Sequence, residues 1–186
     1  HSDDDAHGHD SHDHGETNPH VWVSITGAIA EVKNITEALI AIDPSNKEAY
    51  QKNSLDYIQR LENLKAEMHF ELKDVNTKDI VTFHEAFAYF AKEFDLSVVA
   101  VVESEPGSEP SAGELAKTIN TIEDLEVKVI FVEPQYSTKA AESIASQTGA
   151  KIYPLDPIVT GPKDPQLESY EIVMRENLKI LAEALK

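Results

Sequence analysis

The sequence predicts an α/β domain built on a four-stranded parallel sheet with helices on both faces, preceded by one long helix. Four short β-branched runs are the strand candidates, at residues 80–83, 97–102, 128–132 and 151–155. Stretches with helical periodicity separate and follow them, near residues 85–95, 112–125, 138–148 and 166–185. Such alternation with nearly continuous apolar strands is typical of a parallel sheet covered on both faces. The connections should be right-handed crossovers.

Residues 1–17 form a segment rich in histidine and aspartate, which we expect to be a flexible loop. Its first 16 residues include six acidic residues, five histidines and no apolar residue larger than alanine. This composition buries too little apolar surface to offset the entropy lost on ordering. The histidines are His1, His7, His9, His12 and His14. Imidazoles and carboxylates on one tether are typical of a metal-collecting loop, with zinc as the first metal to consider.

Two helices are predicted between this loop and the first strand. Apolar residues recur at spacings of three and four from Trp22 to Ile42, which indicates a helix with one buried stripe. Asp43-Pro44 should end it, and Ser45 with Glu48 has the spacing of a capping box for the next helix. The second apolar pattern ends near Asp74, so that helix spans roughly 28 residues or about 40 Å. Its length suggests a strut between two lobes.

Composition and charge exclude several classes of function. The formal net charge is −18 and basic residues form no cluster, whereas nucleic acids and anionic membrane surfaces require clustered lysine and arginine. Cysteine is absent, which excludes cysteine-type zinc fingers and disulfide scaffolds. No apolar run approaches eighteen residues, so direct membrane insertion is not expected. Because the chain lacks an initiating Met, we interpret it as a mature-numbered fragment of a longer protein.

Ionisable residues follow all four strand candidates. His84 follows the first, Glu103 the second, Glu133 the third and Asp156 the fourth. Ligands bind at the carboxyl ends of parallel strands, and neighbouring strands lie about 5 Å apart. These side chains should therefore meet at one edge of the sheet. His20, beside Trp22, adds a second aromatic-flanked imidazole, and together these residues predict a divalent-metal site.

Five motifs, in order, resemble the zinc and manganese solute-binding proteins (cluster A-I) of bacterial ABC importers. They are Asn-Pro-His-Val-Trp at 18–22, Asp-Pro at 43–44, Thr-Phe-His-Glu-Ala-Phe-Ala-Tyr-Phe at 82–90, Phe-Val-Glu-Pro-Gln-Tyr at 131–136 and Leu-Asp-Pro at 155–157. The resemblance extends from Asn18 to Lys186. In that family one rigid helix joins two α/β lobes, and the metal lies between the lobes.

The resemblance implies a division of the chain into four parts. Residues 1–17 are the loop, and residues 18–44 are a remnant of the N-terminal lobe with a metal-ligand motif and a helix. Residues 45–74 are the rigid linker helix, and residues 75–186 are the C-terminal α/β lobe. The sheet of the N-terminal lobe and its metal ligand should lie outside this sequence.

The resemblance also implies the site and the function. His20, His84 and Asp156 should bind Zn²⁺. Apart from the resemblance, Glu133 should hydrogen-bond either to backbone or to a ligand histidine, and Glu103 could do the same or be solvated. Zinc members of that family have histidine at the position of His84, where manganese members have glutamate. The implied function is capture of Zn²⁺ outside the cytoplasm, in the periplasm or at the outer face of the cytoplasmic membrane. The implied partners are a membrane permease and its ATPase, and no enzymatic activity is expected.

Other interpretations remain open on the residues alone. A zinc hydrolase would hold the metal with the same three ligands and use Glu85 or Glu133 as general base. However, His84-Glu85 lacks the second histidine, four residues on, that a metalloprotease helix needs. A free-standing histidine-rich zinc buffer or an adhesin-like surface lipoprotein would share the fold and differ in partner. Asp156 could also be an ordinary turn former.

Overall fold

The computed structural model describes residues 18–102 and 110–186. The strands in these two stretches are β1 (Asp79–Thr82), β2 (Ser97–Val101), β3 (Val129–Val132) and β4 (Lys151–Pro154). The helices are α1 (Ile25–Ile42), α2 (Lys47–Leu72), α3 (Ala88–Glu93), α4 (Ala112–Asp124), α5 (Lys139–Thr148) and α6 (Ser169–Ala184). All four predicted strands are confirmed to within one residue at each end. The helix expected near 85–95 is shorter, because a 3-10 turn at Glu85–Phe87 precedes α3.

The four strands form one parallel sheet in the order β2-β1-β3-β4. The chain moves outward from β1 to β2, then returns past β1 to reach β3 and β4. The direction of winding therefore changes between β1 and β3. In open parallel sheets, the crevice at such a change of direction is the usual ligand site. His84 follows β1 and Glu133 follows β3, so both lie beside this crevice.

Helices cover both faces of the sheet, as predicted. Alternate residues of β3 point to opposite faces: Val129 and Phe131 belong to one core, and Ile130 and Val132 to the other. The first core also contains buried residues of α1, α2, α3 and α6, while the second contains residues of α4 and α5. No helix in the described ranges is long and apolar enough to cross a membrane.

The long helix α2 packs against the same core as the sheet. It has 26 residues, a length of about 39 Å, and its buried residues Leu61, Leu64, Met68 and Leu72 all lie in its second half. The stripe predicted on α1 is buried only in its first half, at Ile25, Ala28 and Ile29. Farther along, Ile35 is 58% exposed and Ile42 is 80% exposed. One half of each helix therefore contributes to this core, and the other half extends beyond it.

The capping box predicted at Ser45 and Glu48 is wrong. The Ser45 hydroxyl donates to the Asp43 carboxylate at 2.6 Å, and α2 begins after a 3-10 turn at Pro44–Asn46 without a side-chain cap. Asp43 also accepts from Asn46 and Tyr50. The hydrogen bonds from Asn46, Ser45 and Tyr50 lower the pKa of Asp43 to about 2. A charged acceptor two residues away thus competes successfully for the hydroxyl. A capping box does occur at the start of α4, between Ser111 and Glu114.

Candidate metal centre

The segment carrying His20 is held against the sheet domain by hydrogen bonds from distant parts of the chain. Trp22, two residues after His20, donates from its indole Nε1 to the Pro157 carbonyl at 2.9 Å. The Tyr170 hydroxyl on α6 donates to the Trp22 carbonyl at 2.9 Å. The position of His20 is therefore set by the loop after β4 and by the last helix.

The N-terminus of α1 is held by a carboxylate from α3. Ser24 caps the helix by accepting from the Gly27 N–H at 3.0 Å. Glu93 accepts from the backbone N–H groups of Ile25 at 2.7 Å and Thr26 at 3.0 Å. These groups have no partner within the helix, and a negative charge is favourable at a helix N-terminus. Glu93 thereby connects the His20 segment to the helix that follows His84.

Gly27 allows the 3-10 turn Val21–Val23 to fold over the first turn of α1. A Cβ at position 27 would lie 2.8 Å from the Val21 carbonyl carbon and closer still to its oxygen. We expect Gly27→Ala to displace the His20 segment and to lower the free energy of unfolding by about 1–3 kcal/mol. Gly113→Ala in α4 is the matched control, because a Cβ there meets nothing nearer than 4.0 Å. It should be neutral or stabilising by up to about 1 kcal/mol. Urea unfolding measures both, and equal midpoints would contradict the prediction.

His84 lies at the carboxyl end of β1, where it precedes the 3-10 turn Glu85–Phe87. Its side chain is buried, with 6% exposed, and its ring is 6.3 Å from that of Tyr136. The rings of His84 and His20 stand nearly perpendicular at 83°, with centroids 5.0 Å apart. Their Nε2 atoms face each other at 3.4 Å. The structure therefore brings together the two histidines that the sequence predicted as ligands.

The separation of the two Nε2 atoms matches a tetrahedral metal site. Zinc binds histidine nitrogen at about 2.0–2.1 Å in tetrahedral geometry, which places two such nitrogens about 3.3–3.4 Å apart. The observed distance is 3.4 Å. The spacing of the two atoms is therefore that of two nitrogens bound to one tetrahedral ion.

Burial keeps both imidazoles in the neutral form that binds metals. Desolvation lowers the pKa of His20, and the nearby Glu85 carboxylate opposes this effect. Desolvation also lowers the pKa of His84, the neighbouring His20 lowers it further, and Glu85 again acts in the opposite direction. A histidine must be neutral to coordinate a metal. At pH 7 the pair is therefore ready to bind without losing protons from either ring.

Asp156 follows β4 at the same edge of the sheet, but its carboxylate does not form a three-residue cluster with His20 and His84. Its Oδ1 accepts from the Ile158 N–H at 2.8 Å, in a local turn typical of aspartate. Its backbone is held by Asn177, which accepts from the Asp156 N–H at 3.0 Å and donates to the Asp156 carbonyl at 2.7 Å. Among the residues that the structure describes, no three histidine, cysteine or carboxylate side chains are close enough to hold one ion. Coordination by Asp156 stays a prediction.

Glu133 is buried at the end of β3, with 2% of its surface exposed. The Gln135 amide donates to Glu133 Oε2 at 3.0 Å. Glu103 and the loop histidines His1, His7, His9, His12 and His14 lie outside the described residues. The segments that carry the candidate ligands are held in place by Asn18, Glu93 and Asn177, to which sequence patterns assign no role. Only Asn18 had a local signal, since it lies two residues before His20.

Residues 1–184 match the family described as zinc-uptake complex component A, periplasmic (ZnuA). The chain belongs to the ZnuA family. This confirms the resemblance drawn from the five motifs. ZnuA proteins are solute-binding components of transport systems, so the family is one of binding proteins and not of enzymes.

Relatives within and around the ZnuA family match nearly all of this chain. The high-affinity zinc uptake system protein ZnuA of Bacillus subtilis (strain 168) is 40% identical over 169 residues, which are 90% of this chain and 53% of that protein. The laminin-binding adhesin Lmb of Streptococcus agalactiae superposes with a TM-score of 0.83 at 34% identity, covering 91% of this chain and 63% of that one. The solute-binding protein FpvC of Pseudomonas aeruginosa, solved with Mn²⁺, has a TM-score of 0.81 at 37% identity, covering 90% of this chain and 63% of that one. The chain thus spans about half of the B. subtilis relative and less than two thirds of either structure.

Proposed function

We propose that this chain is the zinc-binding part of an extracytoplasmic solute-binding protein that captures Zn²⁺ and delivers it to an ABC importer. The observation that carries the proposal is the 3.4 Å approach of the His20 and His84 Nε2 atoms. Membership of a family described by periplasmic zinc uptake supports it, as does the name of the B. subtilis relative. Zn²⁺ is the cargo here, bound and released unchanged, so the site needs no general base.

Asp156 is the third ligand in this proposal. Trp22 near His20 is hydrogen-bonded to Pro157, the neighbour of Asp156, so the two segments already lie side by side. Asp156 Oδ1 accepts from the Ile158 N–H, and the second carboxylate oxygen, Oδ2, would bind the metal. Glu133, at the end of the adjacent strand, would hydrogen-bond to a ligand imidazole and so orient it. Residues 45–74 would act as the linker helix and residues 75–186 as the C-terminal lobe.

The partners in this proposal are the permease of the importer and its ATPase. A net charge of −18 raises the local concentration of divalent cations and speeds their capture. Coordination and release of a cation are the only chemistry required of the chain. The location outside the cytoplasm follows from the periplasmic description of the family.

The experiment that tests the proposed function is a competition titration of the full chain with Zn²⁺ and Mn²⁺. Two imidazoles and one carboxylate suit zinc, whereas manganese favours oxygen ligands. We expect Zn²⁺ to bind more tightly, and His84→Glu to shift the preference towards Mn²⁺. Equal or tighter binding of Mn²⁺ by the unchanged chain would contradict the proposal.

The histidine-rich segment should add weak sites without forming the tight one. Its five histidines lie within 16 residues, and several weak sites on a tether raise the zinc concentration near the main site. Deletion of residues 1–16 should therefore lower the number of zinc ions bound and leave the tightest site in place. Isothermal titration of the full and shortened chains measures both quantities. Loss of all binding tighter than micromolar on deletion would show instead that the chain is a histidine-tail buffer.

Adhesion is a second candidate function, and one observation favours it. The structure with a TM-score of 0.83 is described as a laminin-binding adhesin, and another structure of that protein as bifunctional, with adhesin and metal-transporting activity. Binding of the chain to immobilised laminin, with bovine serum albumin as control surface, tests this function separately from zinc binding.

A further inference from the structure

Asn18 contacts both ligand-bearing segments of the centre. Its Oδ1 lies 3.0 Å from the His20 backbone nitrogen and 2.8 Å from His20 Nδ1. Its Nδ2 donates to the Glu85 carbonyl at 2.8 Å, one residue after His84. Its own carbonyl accepts from the Tyr89 hydroxyl at 3.1 Å. One asparagine thus reaches across 67 positions of sequence to the second ligand segment.

The hydrogen-bond partners of the Asn18 side chain determine which position of its amide is the oxygen and which is the nitrogen. The Glu85 carbonyl can only accept a hydrogen bond, so the amide nitrogen must face it. The His20 backbone N–H can only donate, so the amide oxygen must face that group. Both requirements agree with the same orientation of the side chain.

This orientation determines the tautomer of His20. The Asn18 oxygen carries no hydrogen, so His20 Nδ1, which faces it at 2.8 Å, must carry the proton. The lone pair of neutral His20 is then on Nε2, the atom that faces His84 Nε2 at 3.4 Å. In metal sites the hydrogen bond made by one ring nitrogen commonly fixes the other as the ligand.

We propose that Asn18 is the positioning residue of the metal centre, which fixes the His20 tautomer and sets the separation between His20 and His84. This inference rests on the proposed function, since it assumes that the histidine pair binds zinc. Asn18 acts through the two histidines and does not itself touch the metal. Its two roles are chemically separable, because the oxygen serves His20 and the nitrogen serves the backbone after His84.

Three variants distinguish these roles. Asn18→Ala removes both contacts, and zinc affinity should fall roughly 10- to 100-fold, as is usual when a hydrogen-bonding partner of a ligand is lost. Asn18→Asp keeps an acceptor for His20 but places a second acceptor against the Glu85 carbonyl, so zinc affinity should fall while the His20 tautomer is kept. Asn34→Ala, at an exposed position of α1, is the matched control and should change nothing. Affinity is measured by competition with a chelator of known zinc affinity.

The tautomer is measured independently in the metal-free protein. Long-range ¹H–¹⁵N NMR at pH 8, with His20→Ala identifying the His20 signals, should show the Nδ1-protonated form in the unchanged chain and in Asn18→Asp. Asn18→Ala should show a mixture of tautomers. Because the unchanged chain is itself informative, the proposal stays testable even if Asn18→Ala fails to fold.

Two results would overturn the inference. One is an Nε2-protonated His20 in the unchanged metal-free chain, and the other is a zinc affinity of Asn18→Ala equal to that of Asn34→Ala. Failure of the proposed function looks different, because His84→Ala would then bind zinc as tightly as the unchanged chain. In that case the tautomer measurement would still report whether Asn18 orients His20.

Discussion

We expect replacement of His84 with alanine to abolish tight zinc binding and His69→Ala to leave it intact. His84 provides one of the two nitrogens that face each other at 3.4 Å, and no other histidine in the described part of the chain pairs with His20. The affinity loss should exceed the roughly 10- to 100-fold that removal of an outer hydrogen-bonding partner costs. His69 is a suitable control because it is a histidine exposed on α2, and its ring packs on Phe94 and not on His20 or His84.

The histidine-rich segment must be excluded when this prediction is measured. Isothermal titration should therefore compare each variant in the full chain and in the chain lacking residues 1–16. Circular dichroism establishes that both variants are folded. If His84→Ala in the shortened chain binds zinc as tightly as its parent, the metal centre is not at the histidine pair.

We expect zinc affinity to change little between pH 8 and 7 and to fall steeply below about pH 6. Burial lowers the pKa of His20 and His84 below the usual value of about 6.5, so both rings are mainly neutral at pH 7 and above. Protons compete with zinc only at pH values below the lowered pKa. Two protons must then leave for each zinc bound, so the affinity should fall by up to about 100-fold per pH unit, or about 2.7 kcal/mol.

Glu85→Gln tests the electrostatic part of this pH dependence. Glu85 raises the pKa of both imidazoles, so without its charge the fall should begin at a lower pH relative to the plateau of that variant. Zinc titrations at half-unit steps from pH 8 to 5 measure both curves. A flat affinity between pH 7.5 and 5 would point to carboxylate-only sites and against His20 and His84.

The metal-free protein should lose stability over the same acidic range. A histidine with a lowered pKa in the folded state binds its proton less readily than in the unfolded chain. The unfolded state therefore takes up more protons as the pH falls through about 6.5, and folding becomes less favourable. Addition of zinc at neutral pH should have the opposite effect, because it binds the folded state.

Local patterns predicted the secondary structure well wherever one local interaction dominated. The four strands were predictable because their apolar runs are short and bounded by polar residues. The start of α2 was not, because Ser45 can bond either to the helix backbone or to the Asp43 carboxylate, and the spacing of Ser45 and Glu48 is the same in both cases. The first half of the α1 stripe is buried and the second half is exposed, which periodicity cannot distinguish because it reports the face of a helix and not what covers it.

The sequence by itself determined the fold class and the family, and it predicted His20 and His84 as candidate metal ligands. These depend on hydrophobic period, residue order and motifs, which are all local properties of the chain. Only the tertiary structure decided the strand order β2-β1-β3-β4 and the 3.4 Å separation of the His20 and His84 Nε2 atoms. It also revealed Asn18, Glu93 and Asn177 as the residues that hold the segments carrying the candidate ligands. The physical reason is that Trp22 and Pro157 meet across 135 positions, and which distant donors and acceptors meet depends on how the helices pack over the finished sheet.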